Sequence, residues 1–179
     1  MFAPARKRLE VRSIKVDSEQ DSYEANNAID GDPDTLWRTS WTDSAAPHPH
    51  MLMIEFRGPM TLRGVAVLPG QDHNRNGWIK DYECYISADR ISWGVPAAKG
   101  TFSADAKLKT VSFERPVTAR FVRFIALTGF DDDPFTSMAE LSLLAPKADP
   151  IGQEVHCQPD EQAHLQWTSS DFSGHPAGM

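Results

Sequence analysis

Residues 27–41 read NAIDGDPDTLWRTSW, a run in which acidic side chains alternate with turn formers and then give way to two tryptophans. Asp30, Asp32 and Asp34 supply carboxylates and Thr35 a hydroxyl, while Gly31 and Pro33 bend the backbone so that carbonyls can converge. A hard divalent cation such as calcium takes about six to eight oxygens of this kind. The EF-hand pattern does not fit, because Thr35 stands where that loop needs glycine and Trp41 where it needs an acid. Spacing alone leaves two readings open. One is a different calcium loop, closed by an oxygen from elsewhere in the chain; the other is an Asx-type turn with solvated aspartates.

Other reactive side chains form weaker patterns. His156, Cys157 and His164 have a metal-like composition, but their spacing matches no standard zinc motif. The PHPH stretch places His48 and His50 on either side of Pro49, a loop setting that predicts surface histidines. No nucleophile and base stand together in a recognisable catalytic arrangement, so the chain is expected not to be an enzyme. Cys84, alternating with Tyr82 and Ile86, belongs to the apolar face of a strand and is expected to be a buried thiol.

Positioning such groups takes a scaffold, and 179 residues, 40% of them hydrophobic, suffice for one domain with a tail. A formal net charge of −7 opposes phosphate backbones and anionic lipid, so nucleic acid is not an expected partner. No apolar stretch is long enough to predict a transmembrane segment. No signal peptide is evident either, which leaves a cytoplasmic location open beside a secreted or cell-surface one in a longer protein.

The chain is dominated by short apolar runs with period-two alternation, the mark of half-buried strands. They fall at 9–16, 51–57, 62–68, 81–87, 108–114, 120–127 and 138–144, punctuated by turn clusters at RGP, PGQDHNRNG and FDDDP. Many short strands at this spacing predict an antiparallel sandwich or jelly roll. From Pro146 the composition shifts to Pro, Gly, Gln, Ser and His. The expected organisation is an N-terminal extension at 1–8, a domain at 9–145, and a linker or tail at 146–179.

The segments NAIDGDPDTLWRTSW, LPGQDHNRNGWIKDYECYISADRISWG and DPFTSMAELSLL together resemble the discoidin, or coagulation-factor C-type, fold. The likeness covers residues 9–145 and extends to family-32 carbohydrate-binding modules and to the N-terminal domain of galactose oxidase. It implies an all-β, eight-stranded antiparallel jelly-roll sandwich of the galactose-binding-domain type. It also implies a structural calcium ion, held by backbone carbonyls of Asn27, Asp32 and Ala139, side-chain oxygens of Asp30 and Glu140, and both oxygens of Thr35. Such an ion would tie an early turn to the last strand and would stabilise the fold by binding only the folded state.

The resemblance implies a ligand face of loops at one end of the sandwich, here 38–50, 69–77 and 129–137. Candidate ligand-binding residues there are Arg38, Trp41, Gln71, His73, Arg75, Asn76 and Phe135, with Phe135 as the aromatic platform and Asn76 as the amide. A sugar needs this mixture of an apolar plate and fixed polar groups. Two departures weigh against galactose as such. Galactose-binding relatives carry WHT and PRQ where this chain has Trp37-Arg38-Thr39 and Pro69-Gly70-Gln71. The expected function is a non-catalytic carbohydrate-binding module that targets an attached or partner enzyme to glycan or oligosaccharide. The alternative is a discoidin domain that meets protein or lipid through the loop-tip aromatics Trp41, Phe130 and Phe135. Trp37, Trp78 and Trp93 are expected to be packing residues.

Overall fold

A computed structural model describes residues 11–42 and 45–146. The extension at 1–8 and the tail from Lys147, with His156, Cys157 and His164, lie outside the described residues.

The all-β expectation holds. The elements are β1 (Val11–Val16), a short 3-10 helix (Ala25–Ile29), β2 (Trp37–Arg38), β3 (His50–Leu68), β4 (Asp81–Ser87), β5 (Ala98–Thr101), β6 (Lys109–Ala126), β7 (Ser137–Met138) and β8 (Glu140–Leu144). Every strand pair is antiparallel. The larger sheet runs β1-β3-β6-β4-β5, with β8 added to β3, and β2 pairs with β7 in a second small sheet.

The sequence reading places breaks at RGP before Met60 and after Glu114, but neither ends a strand. β3 and β6 each continue through, paired to one another from His50↔Ala126 to Val67↔Lys109. The apparent breaks are bulges: the register shifts between Glu55 and Met60, and again between Leu62 and Gly64. An extra residue in one strand bends it without ending the ladder. Gly64 permits the closest approach, since a Cβ there would sit 2.1 Å from the Val111 carbonyl oxygen. The first half of β3 is flanked by β1 and its second half by β8. The predicted strand at 138–144 is in turn divided. Met138 pairs with Trp37, and from Glu140 the chain pairs with β3.

Alternation sets the core. Leu52, Ile54 and Phe56 of β3, Val122 and Phe124 of β6, Cys84 of β4, and Leu141 and Leu143 of β8 point inward and are almost wholly buried. Tyr82, Phe102 and Phe124 form a cluster of three near-parallel rings at the β5 side. Trp37 is fully buried, its indole N–H donating to the Ser18 carbonyl at 3.1 Å. Cys84 is a buried thiol, as expected, and burial pushes its pKa up to about 12. Among the described residues, no helix is long and apolar enough to cross a membrane.

Candidate functional site: an acidic clasp and a loop rim

The 3-10 helix delivers the chain into the acidic loop, where short-range polar bonds fix the turn. Asp30 accepts from the Asp32 N–H through Oδ1 at 2.8 Å and from the Thr35 hydroxyl through Oδ2 at 2.8 Å. The Thr35 Oγ1 also lies 3.1 Å from the Asp32 carbonyl oxygen, and Asp34 N–H donates to Asp32 Oδ1. This is the Asx-turn chemistry that the bland reading foresees.

The loop is nonetheless tied to the far end of the domain. Glu140, at the start of β8 and only 3% exposed, accepts from the Gly31 N–H through Oε1 at 2.6 Å. Burial pushes its carboxyl up, and the adjacent Asp30 carboxylate adds to the rise beyond what the Gly31 N–H offsets, bringing it to about 7. Two carboxylates facing each other in a largely dry site favour a shared proton or a shared cation. Asp30, Asp32, Thr35 and Glu140 are thus brought together. Ala139 precedes Glu140 and is fully buried. Asn27 spends its side-chain amide on the Leu36 carbonyl at 3.2 Å. No group of three His, Cys, Asp or Glu side chains converges among the described residues. What converges is two carboxylates, the Thr35 hydroxyl and the Asp32 carbonyl, oxygens of the hard kind that calcium takes.

The second region is the rim formed by the loops around 38–42, 69–77 and 130–136. β2 and β7 bring the first and third together: Arg38 pairs with Ser137, Thr39 N–H donates to the Thr136 carbonyl, and Thr136 N–H returns a bond to Thr39 Oγ1. The middle loop is pinned by Gly77. Its carbonyl accepts from Ser137 N–H at 2.7 Å, and its φ of +74° suits glycine. Phe135 lies half-buried against that glycine. Trp78 forms a floor, its indole N–H donating to the Gly70 carbonyl at 3.1 Å.

A cavity of about 430 Å³ opens here, lined by Gly70, Gln71, His73, Asn74, Arg75, Trp78 and Ala106. Its size suits one or two sugar rings. Gln71, His73 and Arg75 of the expected ligand set face it together. Gln71 uses its amide N–H groups on the Pro69 and Ala106 carbonyls, which leaves its amide oxygen as an acceptor. Asn76 is exposed beside the cavity, and its backbone carbonyl accepts from the Ser137 hydroxyl.

Arg38 and Trp41 belong to a separate cluster. Arg38 is buried, with its guanidinium over the rings of Tyr23 and Trp41 at 5.2 and 5.5 Å, and it donates to Asp72 Oδ2 at 2.8 Å. Trp41 stands edge-on to Tyr23 and is 41% exposed. Arg75 pairs with Asp131 at 2.8 Å, joining two loops of the rim.

Sequence reasoning did not find Asp72 or Tyr23, which gain meaning only through partners distant in the chain. It also placed His50 on the surface. Instead His50 is 1% exposed, with Nδ1 2.7 Å from Asp17 Oδ2 and Nε2 2.6 Å from the Pro134 carbonyl oxygen. With an acceptor at each nitrogen, the ring is best satisfied as the doubly protonated cation. Burial alone would lower its pKa, but the bonds to Asp17 and Pro134 outweigh that and raise it. Burial likewise works against ionisation of Asp17, yet the bonds from His50 and the Met51 N–H outweigh it and lower the pKa. Neighbouring His48 reaches the Thr136 hydroxyl at 3.0 Å, so two histidines brace the 130–136 loop. Trp93 packs against Arg123, as a loop anchor would.

The F5/8 type C domain profile matches residues 13–141. The chain belongs to that family. It is 41% identical over 133 residues to galactose oxidase of Gibberella zeae, an alignment covering 73% of this chain and 19% of the relative. It is 33% identical over 132 residues to a sialidase of Micromonospora viridifaciens, covering 72% of this chain and 20% of that protein. The chain therefore spans about a fifth of the length of these curated relatives. Among solved structures, the family 32 module of Clostridium perfringens NanJ in complex with galactose superposes with a TM-score of 0.66 at 28% identity, over 73% of this chain and 91% of that one. CpGH89CBM32-5 of Clostridium perfringens, in complex with GalNAc-β-1,3-galactose, gives 0.67 at 27% identity, over 74% and 94%. The expected discoidin and family-32 relationship is thereby established.

Proposed function

We propose that this F5/8 type C domain is a non-catalytic carbohydrate-binding module. In this reading the rim residues Gln71, His73, Arg75, Asn76 and Phe135 contact a glycan directly. Arg38 and Trp41 shape the neighbouring edge. The cavity over Trp78 is the observation that carries the reading, since it combines an aromatic floor with convergent polar groups. The sugar complexes of NanJ and CpGH89CBM32-5 support it. The acidic clasp would hold calcium through Asp30 and Glu140 side chains, with Asn27, Asp32, Thr35 and Ala139 completing the shell. That ion would supply rigidity rather than chemistry. The module would bring an attached or partner enzyme to glycan, as part of a longer secreted or cell-surface protein.

A glycan array at high protein density, followed by titration of the hits, tests the proposal. Phe135→Ala should lose at least about tenfold in affinity, by removal of the stacking plate. Arg38→Ala should lose less, because Arg38 acts through Asp72. An array without signal, together with binding of a protein partner lost on Trp41→Ala, would favour the protein-interaction reading that the exposed Trp41 suggests.

A further inference from the structure

Arg38, standing where galactose-binding relatives carry histidine, is a cation in the sequence of the sugar rim, but the geometry removes that cation from use. Arg38 is buried between two aromatic rings and bound to Asp72. Its Nε is enclosed without a partner, so a ligand cannot reach it from solvent. Arg75 lines the cavity and is half exposed, its charge offset by Asp131 through one nitrogen, and Lys109 is paired with Asp105. On the loops 38–42, 69–77, 103–109 and 129–136 this leaves Asp132, Asp133 and Lys107 outside any ion pair among the described residues. Asp133 accepts from the Gly77 N–H at 3.3 Å.

We infer that the rim takes uncharged or amine-bearing sugars and turns away carboxylated ones, with Asp72 as the specificity-determining acceptor. The inference rests on the sugar-site reading above. Asp72 is held from one side, its Oδ2 accepting from Arg38 and from the Asn74 side-chain amide at 3.1 Å. Its side chain is still 32% exposed, so lone pairs of the carboxylate face outward. A sugar hydroxyl can donate to that carboxylate without disturbing the pair, and a sugar ammonium gains a charge-assisted bond. A uronate must either displace Asp72 from Arg38, leaving a carboxylate without its partner, or settle beside Asp72 as a further like charge. Arg38 is a positioning residue here, aiming Asp72 rather than touching ligand.

The test is calorimetric titration of the full chain with matched monosaccharides: galactose, galactosamine and galacturonate, and the corresponding gluco series. In whichever series binds, the uronate should be at least about tenfold weaker than the neutral sugar at low ionic strength, a gap that narrows as salt is raised. The amino sugar should equal or exceed the neutral one. Asp72→Asn should weaken the amino sugar and improve the uronate, a crossed response that general loss of fold would not produce. Lys107→Ala should leave the order unchanged. A uronate that binds as tightly as its neutral partner overturns the inference alone. Absence of binding across both series overturns the sugar-site reading and the inference with it.

Discussion

The clasp between Asp30 and Glu140 makes a quantitative prediction about calcium. Without a cation the folded Glu140 titrates near 7, against an ordinary value of 4.5. Between those values the folded chain keeps a proton that the unfolded chain has released, so metal-free stability falls as pH rises through this window. By pH 8 the accumulated penalty is about 3 kcal/mol, from a side chain that is only 3% exposed. A bound divalent cation replaces the missing proton and removes at least that penalty. Saturating calcium should therefore raise the melting temperature over chelator by roughly 6–12 °C at pH 8. The gain should shrink towards pH 5. Glu140→Gln keeps an oxygen for the Gly31 N–H and carries no charge. In chelator at pH 8 it should melt above the unsubstituted chain, and calcium should not move it. Scanning calorimetry in calcium and in chelator, at both pH values, reads all of this. Melting temperatures that coincide within a degree, with the Gln variant less stable in chelator, would refute the clasp.

Two further outcomes follow from the rim and its braces. Gly77→Ala would bring a Cβ within 2.7 Å of the Ser137 nitrogen at a left-handed φ. Because backbone cannot yield, it should cost at least about 2 kcal/mol by chemical denaturation and weaken glycan binding together with stability. The Asp17–His50 bond gives a second pH signature, best measured in the Glu140→Gln background so that the acidic loop is silent. The raised His50 contributes fully below its unfolded value of 6.5 and loses that contribution as pH climbs through its folded value. The lowered Asp17 contributes above 3.8 and fades as pH falls through its folded value. Stability should thus be flat between these limits and fall on the alkaline side. His50→Leu should abolish the alkaline fall and cost about 1.5–3 kcal/mol near pH 5.

Local pattern was a good guide to what is local. Alternation located the inward residues of β1, β3, β4, β6 and β8, because a strand's two faces are written residue by residue. It failed at Met60 and Pro116, where turn-like residues sit in bulges that long pairing carries through. It missed β5, whose Lys99, Gly100 and Thr101 are exposed and carry no apolar face. The acidic loop stood out by composition, yet its bond to Glu140 spans 109 positions and no periodicity reports it. Only the resemblance pointed there. Arg38 was visible as a departure from the family pattern, while its neutralisation by Asp72 depends on a fold-level approach of two loops. His50 was misplaced for a similar reason: its two acceptors come from β1's end and from Pro134, and neither is near it in sequence.

The unbroken run of β3 and β6 has a mechanical consequence. Both halves of the larger sheet share these two strands, β1 flanking one half and β8 the other, so neither half can melt while the other stays intact without tearing the same backbone ladder. Amide protons at Ile54 and Val122, in one half, and at Val65 and Val111, in the other, should then exchange through a single global opening. The loops, which hang from the ends of this ladder, are free to vary in sequence without dividing the domain into separately melting parts.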